Sequence, residues 1–311
     1  MLEVLRLSQL VEPLQGRLEN GDASFGAVST DSRAIQPGQL FIALVGPRFD
    51  GHDYLADVAA KGAVAALVSR RVPEVDLPQL VVADTRLALG RLGALNRDAF
   101  KAPLAAVTGS SGKTTIKELL ASILRAGLHG PVLATRGNLN NDLGVPLTLL
   151  ELAPEHVAAV IELGANHVGE IAYTVGLTRP HVAIISNAGN AHVGEFGGPE
   201  KIVEAKGEIL DGLAADGVAV LNLDDAAYPI WRQRLAPAVY WPFPSNRNRP
   251  ISAPPICIAT RAAAWPSICI PRQAARRCNS ICWADTTWRT RWRLRLRPMR
   301  WVFPLNISVR A

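Results

Sequence analysis

The stretch Thr108-Gly109-Ser110-Ser111-Gly112-Lys113-Thr114-Thr115 follows a short apolar run at residues 104–107 and precedes a segment of helical periodicity. Apolar side chains recur there at i, i+3, i+4, i+7 and i+8, at Ile116, Leu119, Leu120, Ile123 and Leu124. This spacing predicts an amphipathic helix whose apolar stripe faces a sheet. A strand, a glycine loop and a helix N-terminus in this order present unpaired backbone N–H groups to an anion. The stretch therefore predicts an α/β fold with a phosphate site.

The residue types of this loop suggest how it works, and we expect every residue from Gly109 to Thr115 to contact the phosphates. The glycines let the backbone curl, Lys113 adds a mobile positive charge, and the Thr114 hydroxyl is a usual Mg²⁺ ligand. The spacing G-x-x-G-K-T is shorter than the general G-x-x-x-x-G-K-[ST] form. A turn that only caps a helix is the alternative, but it does not account for the Lys-Thr pair.

Length and composition set the limits of the fold. With 311 residues and 49% hydrophobic content, the chain can form about two domains with real cores. Residues 241–311 hold 13 Arg and one Asp but no Lys, Glu or Gly, a net charge of +12; because the whole chain carries +6, residues 1–240 carry −6. The basic character therefore belongs to the tail alone.

Residues 1–240 contain none of the four cysteines, and the sequence shows no signal peptide and no apolar run of about 18 residues. We therefore expect a cytoplasmic monomer with no membrane or nucleic-acid partner.

Residues 1–83 are predicted to form a small α/β domain, with strands at 25–31, 39–45, 63–69 and 79–83 and a helix at 54–61. Polar residues follow two of these strands, and we expect them to bind a phosphate or uridine group. They are Ser29, Thr30, Asp31, Ser32, Arg33 and His52. The alternative is an Asx turn at Asp31 with a solvated Arg33 and a hydrogen-bonded His52.

Residues 84–240 are predicted to form the second domain. After a helix at 85–100, apolar strands at 104–107, 157–163, 181–186 and 217–221 alternate with helices, including 169–176 and 199–213. Such alternation predicts a mainly parallel sheet wound with helices, whose ligands bind at the carboxyl ends of the strands. We expect this sheet to be incomplete and to be followed by an irregular tail at 241–311.

Three charged side chains are expected near the phosphate site. Glu162 ends a strand on the same sheet edge as Lys113, where it could ligate Mg²⁺ or cap the next helix. His192 follows another strand and is either a metal or phosphate ligand or a structural histidine.

Glu200, Glu204 and Glu208 are predicted to form the solvated face of a helix, which leaves Lys206 on its apolar side. A buried ammonium there needs a partner or a modification, unless it reaches solvent at the edge of the stripe.

Two amide-rich segments complete the candidate site. Asn138 and Asn141 lie in a polar loop that could hold a charged substrate. Asn222 and Asp225 follow a strand and could contact a nucleotide base, although helix capping explains them equally well.

Six segments in chain order carry a resemblance to a known family. They are T-G-S-S-G-K-T-T at 108–115, N-L-N-N-D-L-G-V-P at 138–146, E-L-G-A-N at 162–166, N-A-H-V-G-E-F-G at 190–197, A-K-G-E-I at 205–209 and L-N-L-D-D at 221–225. Together they resemble the Mur ligases over residues 1 to about 237. S-T-D-S-R at 29–33 and the segment at 190–197 are most similar to the members that join D-alanyl-D-alanine to UDP-N-acetylmuramoyl-tripeptide in peptidoglycan synthesis.

The resemblance implies an ATP-dependent ligase that forms an acyl phosphate on the substrate carboxylate, which the incoming amine then attacks. It implies that Lys113, Glu162, His192 and Lys206 are catalytic, and that Thr114, Glu162, His192 and a carbamylated Lys206 hold Mg²⁺. It further implies that Asn222 and Asp225 lie toward the adenine. Ser29, Thr30, Asp31, Ser32, Arg33 and His52, with Asn138 and Asn141, would contact the UDP-linked substrate.

The tail interrupts this resemblance, because the family continues into a C-terminal α/β domain and residues 241–311 do not match one. Their Arg, Trp, Pro and Cys content is typical of GC-rich DNA translated out of frame, so we expect a frameshift near codon 240, a disordered tail, and an impaired or inactive ligase. A basic arm that binds nucleic acid or lipid and a cysteine metal site are the alternatives. Other functions that remain open are a different Mur ligase, an unrelated P-loop NTPase, and a non-catalytic remnant that binds nucleotide.

Overall fold

A computed structural model describes residues 1–189, 193–213, 216–235 and 239–243, the last range as backbone only. Among these residues the strands are β1 (Leu5–Arg6), β2 (Arg17–Glu19), β3 (Ser24–Phe25), β4 (Val28–Ser29), β5 (Leu40–Ile42), β6 (Val45–Gly46), β7 (Phe49–Asp50), β8 (Ala65–Val68), β9 (Gln79–Val81), β10 (Leu104–Thr108), β11 (Val132–Ala134), β12 (Ala158–Glu162), β13 (Val182–Ile185), β14 (Val218–Asn222) and β15 (Val239–Phe243). The α-helices are α1 (Leu7–Leu10), α2 (Leu55–Ala60), α3 (Thr85–Ala99), α4 (Lys113–Leu128), α5 (Gly144–Leu150), α6 (Glu170–Thr178), α7 (Val193–Phe196), α8 (Pro199–Gly207) and α9 (Tyr228–Arg234). Two 3₁₀ helices span Gly51–Tyr54 and Glu208–Gly212.

The chain divides into two compact units. The first contains Met1–Ala102 and Thr135–His156, and the second contains Pro103–Ala134 and the described residues that follow His156. The predicted boundary between residues 83 and 84 differs from this division, because α3 packs into the core of the first unit. Leu89 and Leu92 of α3 are fully buried there with Leu150 of α5.

The first unit is built on a sheet in the order β2-β9-β8-β5-β4, as far as the described residues show. The pair β2–β9 is antiparallel and the other pairs are parallel. The predicted strands at 63–69 and 79–83 and the helix at 54–61 are present with shorter bounds, which confirms the α/β character of this unit. The predicted strands at 25–31 and 39–45 are each divided into two short strands that belong to different sheets, β3 and β4 in the first case and β5 and β6 in the second. The short elements β1, α1 and β2 were not predicted, since they are too short for an apolar period.

The second unit contains a fully parallel sheet, and its described strands lie in the order β11-β12-β10-β13-β14-β15. β10 occupies the centre of the sheet, and its five residues are all buried. The predicted parallel sheet wound with helices is therefore confirmed. β15 adds a strand at the edge and extends three residues into the segment that was predicted to be an irregular tail.

The sequence located the apolar face of α4 only in part. Ile116, Leu120 and Leu124 pack against the sheet as predicted, but Leu119 and Ile123 are 57% and 48% exposed. Lys117 and Ala121 are buried in their place, so the buried stripe is rotated from the predicted one.

Of the helices that the structure describes, none combines the length and the apolar character that crossing a membrane requires.

Candidate functional site

The predicted phosphate loop joins β10 to α4 at the carboxyl edge of the central strand. Gly109 has φ = +144° and Gly112 has φ = +77°, conformations that favour glycine. α4 begins at Lys113, and its first i→i−4 bond runs from the Ile116 N–H to the Gly112 carbonyl at 3.0 Å. The helix therefore leaves the N–H groups of Lys113, Thr114 and Thr115 without intrahelical partners, as an anion site requires.

Lys113 and Glu162 lie at the same end of the sheet. The Lys113 ammonium group donates to the Gly109 carbonyl at 2.8 Å. Burial lowers the pKa of Lys113, and the nearby Glu162 carboxylate opposes that shift. The Lys113 ammonium group therefore lies over the phosphate loop, where its positive charge is expected to bind the phosphates.

Thr114 and Glu162 meet because β10 and β12 are paired with Val107 opposite Glu162. The Thr114 hydroxyl donates to Glu162 Oε2 at 3.0 Å, and Glu162 is 2% exposed. These are oxygen donors of the kind that Mg²⁺ prefers, so the residues present fit the metal. Within the described ranges, no group of three or more His, Cys, Asp and Glu side chains is arranged to hold a metal.

The segment after β13 packs directly against the phosphate loop. The Ser186 hydroxyl donates to the Ser111 carbonyl at 2.7 Å, and Asn187 bonds to both Ser110 and Ser111. A Cβ atom on Gly109 would stand 1.9 Å from Ser186 Oγ. The sequence placed Ser186 and Asn187 at a strand end but gave them no role, because it does not reveal that β13 is the neighbour of β10.

Asn222 and Asp225 support this segment. Asn222 donates through Nδ2 to the Ser186 carbonyl at 3.0 Å, and Asp225 Oδ2 accepts the Ala188 N–H at 2.8 Å. Asp225 Oδ1 also accepts the Ala227 N–H at 2.8 Å, just before α9. Both side chains therefore contact backbone groups beside the phosphate loop; their predicted contact with adenine stays a prediction.

Lys206 is buried on α8, as its place on the apolar side predicts, with 3% exposure. Its Nζ lies 3.5 Å from the Ala165 carbonyl oxygen and 5.1 Å from the centroid of the Phe196 ring. Burial, followed by the positive charge of Lys113, lowers the pKa of Lys206 to about 8, against the attraction of Glu170 and Glu208. The structure thus brings Lys206 within electrostatic reach of Lys113.

Glu208 is not on a solvated face, so that part of the prediction is wrong. α8 ends at Gly207, and the 3₁₀ turn that follows carries Glu208 inward to 4% exposure. Its two carboxylate oxygens accept the N–H groups of Gly169 and Ala172 at 2.6 and 2.8 Å, at the start of α6. Glu200 and Glu204 are exposed as expected.

The first unit carries the residues predicted to bind the UDP-linked substrate. Arg33 donates to both carboxylate oxygens of Asp31, at 2.9 and 2.8 Å, and its side chain is 88% exposed. Hydrogen bonding from Arg33 lowers the pKa of Asp31 to about 2. Ser29 Oγ accepts the Asp31 N–H at 3.2 Å, and Lys61 donates to the Ser32 carbonyl at 2.7 Å. Thr30 is half-buried between them.

His52 is held within the fold. Its Nε2 accepts the Ser69 N–H at 2.9 Å, so the ring proton lies on Nδ1, which donates to Asp50. Asp50 also receives Arg70 at 2.7 Å. Partial burial raises the pKa of Asp50, but hydrogen bonds from the His52 backbone N–H and from Arg70 outweigh it and lower this pKa to about 2. These contacts match the alternative of an Asx turn, a solvated Arg33 and a hydrogen-bonded His52.

Asn138 and Asn141 also belong to the first unit, and both are exposed. Asn141 Oδ1 accepts the N–H of Gly144, the first residue of α5, at 2.8 Å, whereas Asp142 is paired with Arg86 at 2.6 Å. His192 and the tail from residue 244 lie outside the described residues.

Two protein-family models and several known proteins match this chain. A family model described as Mur ligase middle domain matches residues 107–244, and one described as Mur ligase family, catalytic domain, matches residues 25–97. The chain is 50% identical over 240 residues to the UDP-N-acetylmuramoyl-tripeptide--D-alanyl-D-alanine ligase of Escherichia coli K12, covering 77% of this chain and 52% of that protein. The ligase of the same name from Bacillus subtilis is 36% identical over 226 residues, with 70% and 49% covered.

Solved structures give the same result. MurF from Acinetobacter baumannii superposes with a TM-score of 0.73 at 47% identity, covering 78% of this chain and 54% of that one. MurF ligase from Thermotoga maritima, solved in complex with ADP, superposes with a TM-score of 0.64 at 32% identity, covering 70% and 50%. The chain spans about half the length of the relatives it matches.

Proposed function

Because the chain belongs to the Mur ligase family, we propose that its second unit binds ATP with Mg²⁺ and that its two units are those of a ligase that joins D-alanyl-D-alanine to UDP-N-acetylmuramoyl-tripeptide, an activity that is impaired or lost in the 311-residue chain. The observation that carries the proposal is the meeting of the phosphate loop, Glu162 and Lys206 at one end of the parallel sheet. The names of the ligases from Escherichia coli and Bacillus subtilis support the choice of substrates. A protein with these substrates would work in the cytoplasm, without crossing a membrane.

The proposed reaction requires the protein to hold several negative charges together. The free N–H groups at the start of α4 and the Lys113 ammonium group would bind the phosphates, and Thr114 with Glu162 would hold one Mg²⁺. The substrate carboxylate would attack the γ-phosphate, and the amine of the dipeptide would displace phosphate from the acyl phosphate. His192 is proposed as a further metal ligand, and Arg33 and its neighbours in the first unit as contacts for the UDP group.

Binding measurements on the full chain test this proposal. Isothermal titration with ATP and Mg²⁺, and separately with UDP-N-acetylmuramoyl-tripeptide, should each give saturable binding. An unrelated NTPase would bind ATP without the UDP precursor, and a different Mur ligase would prefer a precursor with a shorter peptide. Binding of neither ligand would refute the proposal.

Lys206 gives a second test, since we propose that its amine reacts with CO₂ to form a carbamate. The amine attacks the carbon of CO₂ and releases one proton, which replaces an ammonium group with an oxygen ligand for Mg²⁺. Only the neutral amine reacts, and a pKa of about 8 makes it abundant from about pH 8 upward. We expect ¹³C-labelled bicarbonate to give one carbamate NMR signal that grows between pH 7 and 9.

The matched control for this experiment is Lys117, which is also buried but forms an ion pair with Glu118 at 2.8 Å. The signal should vanish in Lys206→Arg and persist in Lys117→Arg. A signal that survives in Lys206→Arg would assign the carbamate elsewhere.

A separate proposal concerns the reading frame that encodes residues 241–311. The middle-domain match ends at residue 244 and the chain continues to residue 311. Because residues 241–311 hold 13 Arg but no Lys, Glu or Gly, we propose a change of reading frame near codon 240. If so, the 311-residue chain should bind ATP but form no pentapeptide precursor. Sequencing the DNA around codon 240 decides the matter, since a second frame that encodes no Mur-like continuation excludes a frameshift.

A further inference from the structure

Asn187 lies between the end of β13 and the phosphate loop, and its contacts are directed at two loop residues. Its Oδ1 accepts the Ser111 N–H at 3.1 Å, and its Nδ2 donates to the Ser111 carbonyl at 3.2 Å. Its own backbone carbonyl accepts the Ser110 N–H at 3.0 Å. One residue therefore contacts three consecutive peptide groups of the loop, those that join residues 109 to 112.

The chemistry of these contacts is specific for an amide side chain. Ser111 offers one donor and one acceptor on its backbone, and the Asn187 amide meets both with the matching atom. Alanine would supply neither atom. Aspartate would keep the acceptor but would turn a second carboxylate oxygen toward the Ser111 carbonyl.

Asn187 is itself held in place by its neighbours on both sides. The Ser186 N–H donates to the Thr108 carbonyl at 3.0 Å, and the Ser186 carbonyl accepts a hydrogen bond from the Asn222 side-chain amide. Ala188 donates to Asp225 at 2.8 Å. The segment therefore connects β14 and β10 to the loop through hydrogen bonds, which is how a binding element is held in one geometry before its ligand arrives.

These contacts divide the phosphate loop into two parts. The N–H groups of Ser110 and Ser111 are occupied by Asn187, whereas those of Lys113, Thr114 and Thr115 remain available at the start of α4. On the basis of the proposed function, we propose that Asn187 is a positioning residue, which fixes the first part of the loop so that the second part is arranged for the phosphates of a nucleoside triphosphate.

The test compares ATP with adenosine, because a positioning role concerns the phosphates alone. Titration of the full chain with ATP and Mg²⁺ should show affinity lowered about tenfold in Asn187→Ala and about a hundredfold in Asn187→Asp, whose negative charge also repels the phosphates. Adenosine affinity and the melting temperature of the ligand-free protein should stay unchanged. The matched control Asn20→Asp, an exposed residue of the first unit, should bind ATP normally.

Each outcome has a defined meaning. Equal losses for ATP and adenosine, together with a lower melting temperature, would show a merely structural role and overturn the inference. Unchanged ATP affinity in both Asn187 variants would also overturn it, with the proposed function intact. If the unaltered chain fails to bind ATP, the proposed function falls and the inference falls with it.

Discussion

Gly109→Ala should destabilise the second unit by about 3 kcal/mol and abolish measurable ATP binding. The added methyl group would lie 1.9 Å from Ser186 Oγ and 3.1 Å from the Asn187 backbone nitrogen, with the backbone at φ = +144°. Neither neighbour can move away easily, because the Ser186 hydroxyl is hydrogen-bonded to the Ser111 carbonyl and the Asn187 carbonyl to the Ser110 N–H. Urea unfolding and ATP titration measure the two effects.

Two further variants separate the collision from the backbone strain. Gly112 also has a positive φ, but at +77° it lies in the left-handed region and an added Cβ meets nothing within 4 Å, so Gly112→Ala should cost only about 1 kcal/mol. Ser186→Ala in the Gly109→Ala background removes the closest atom and should recover part of the lost stability. Equal destabilisation by Gly109→Ala and Gly112→Ala would contradict the steric explanation.

Lys113→Met should weaken ATP binding about a hundredfold, since it removes a charged donor from the phosphate site. It should also raise the pKa of Lys206 above about 8, because the like charge of Lys113 contributes to lowering it. The carbamate signal should then need a higher pH to appear. Calorimetry and the pH dependence of the ¹³C signal measure these effects independently.

Lys201→Met is the control for Lys113→Met, since Lys201 is exposed on α8 and pairs with Glu204 at 2.8 Å. It should leave both ATP affinity and the Lys206 signal unchanged. If Lys113→Met binds ATP as tightly as the unaltered chain, the lysine does not serve the phosphates in this protein.

The sequence was sufficient to predict the local features of the site. The phosphate loop follows from its glycines and the flanking periodicity, and the burial of Lys206 follows from its place on the apolar side of a helix. Glu162 was expected on the same sheet edge because parallel strands end together. In each case the evidence lies within one segment or in a general property of parallel sheets.

Features that depend on strand order were not predictable. Asn187 reaches the loop only because β13 pairs with β10, and nothing in the residues of either strand specifies that neighbour. The inward turn of Glu208 depends on the end of α8 one residue earlier. β11 has only three residues, too few for a pattern to distinguish it from a loop, and β15 contains Pro242, a residue type that argues against a strand.

The division of the chain also constrains how it can fold during synthesis. The central strand β10 must wait for β12, which pairs with it only after residues 135–156 have emerged, and those residues belong to the first unit. The ribosome therefore delivers α5 to the first unit before the second can close its sheet. A single proteolytic cut at residue 102, 134 or 156 cannot release either unit as one continuous polypeptide. Limited proteolysis at these positions should therefore not yield either unit as an isolated fragment.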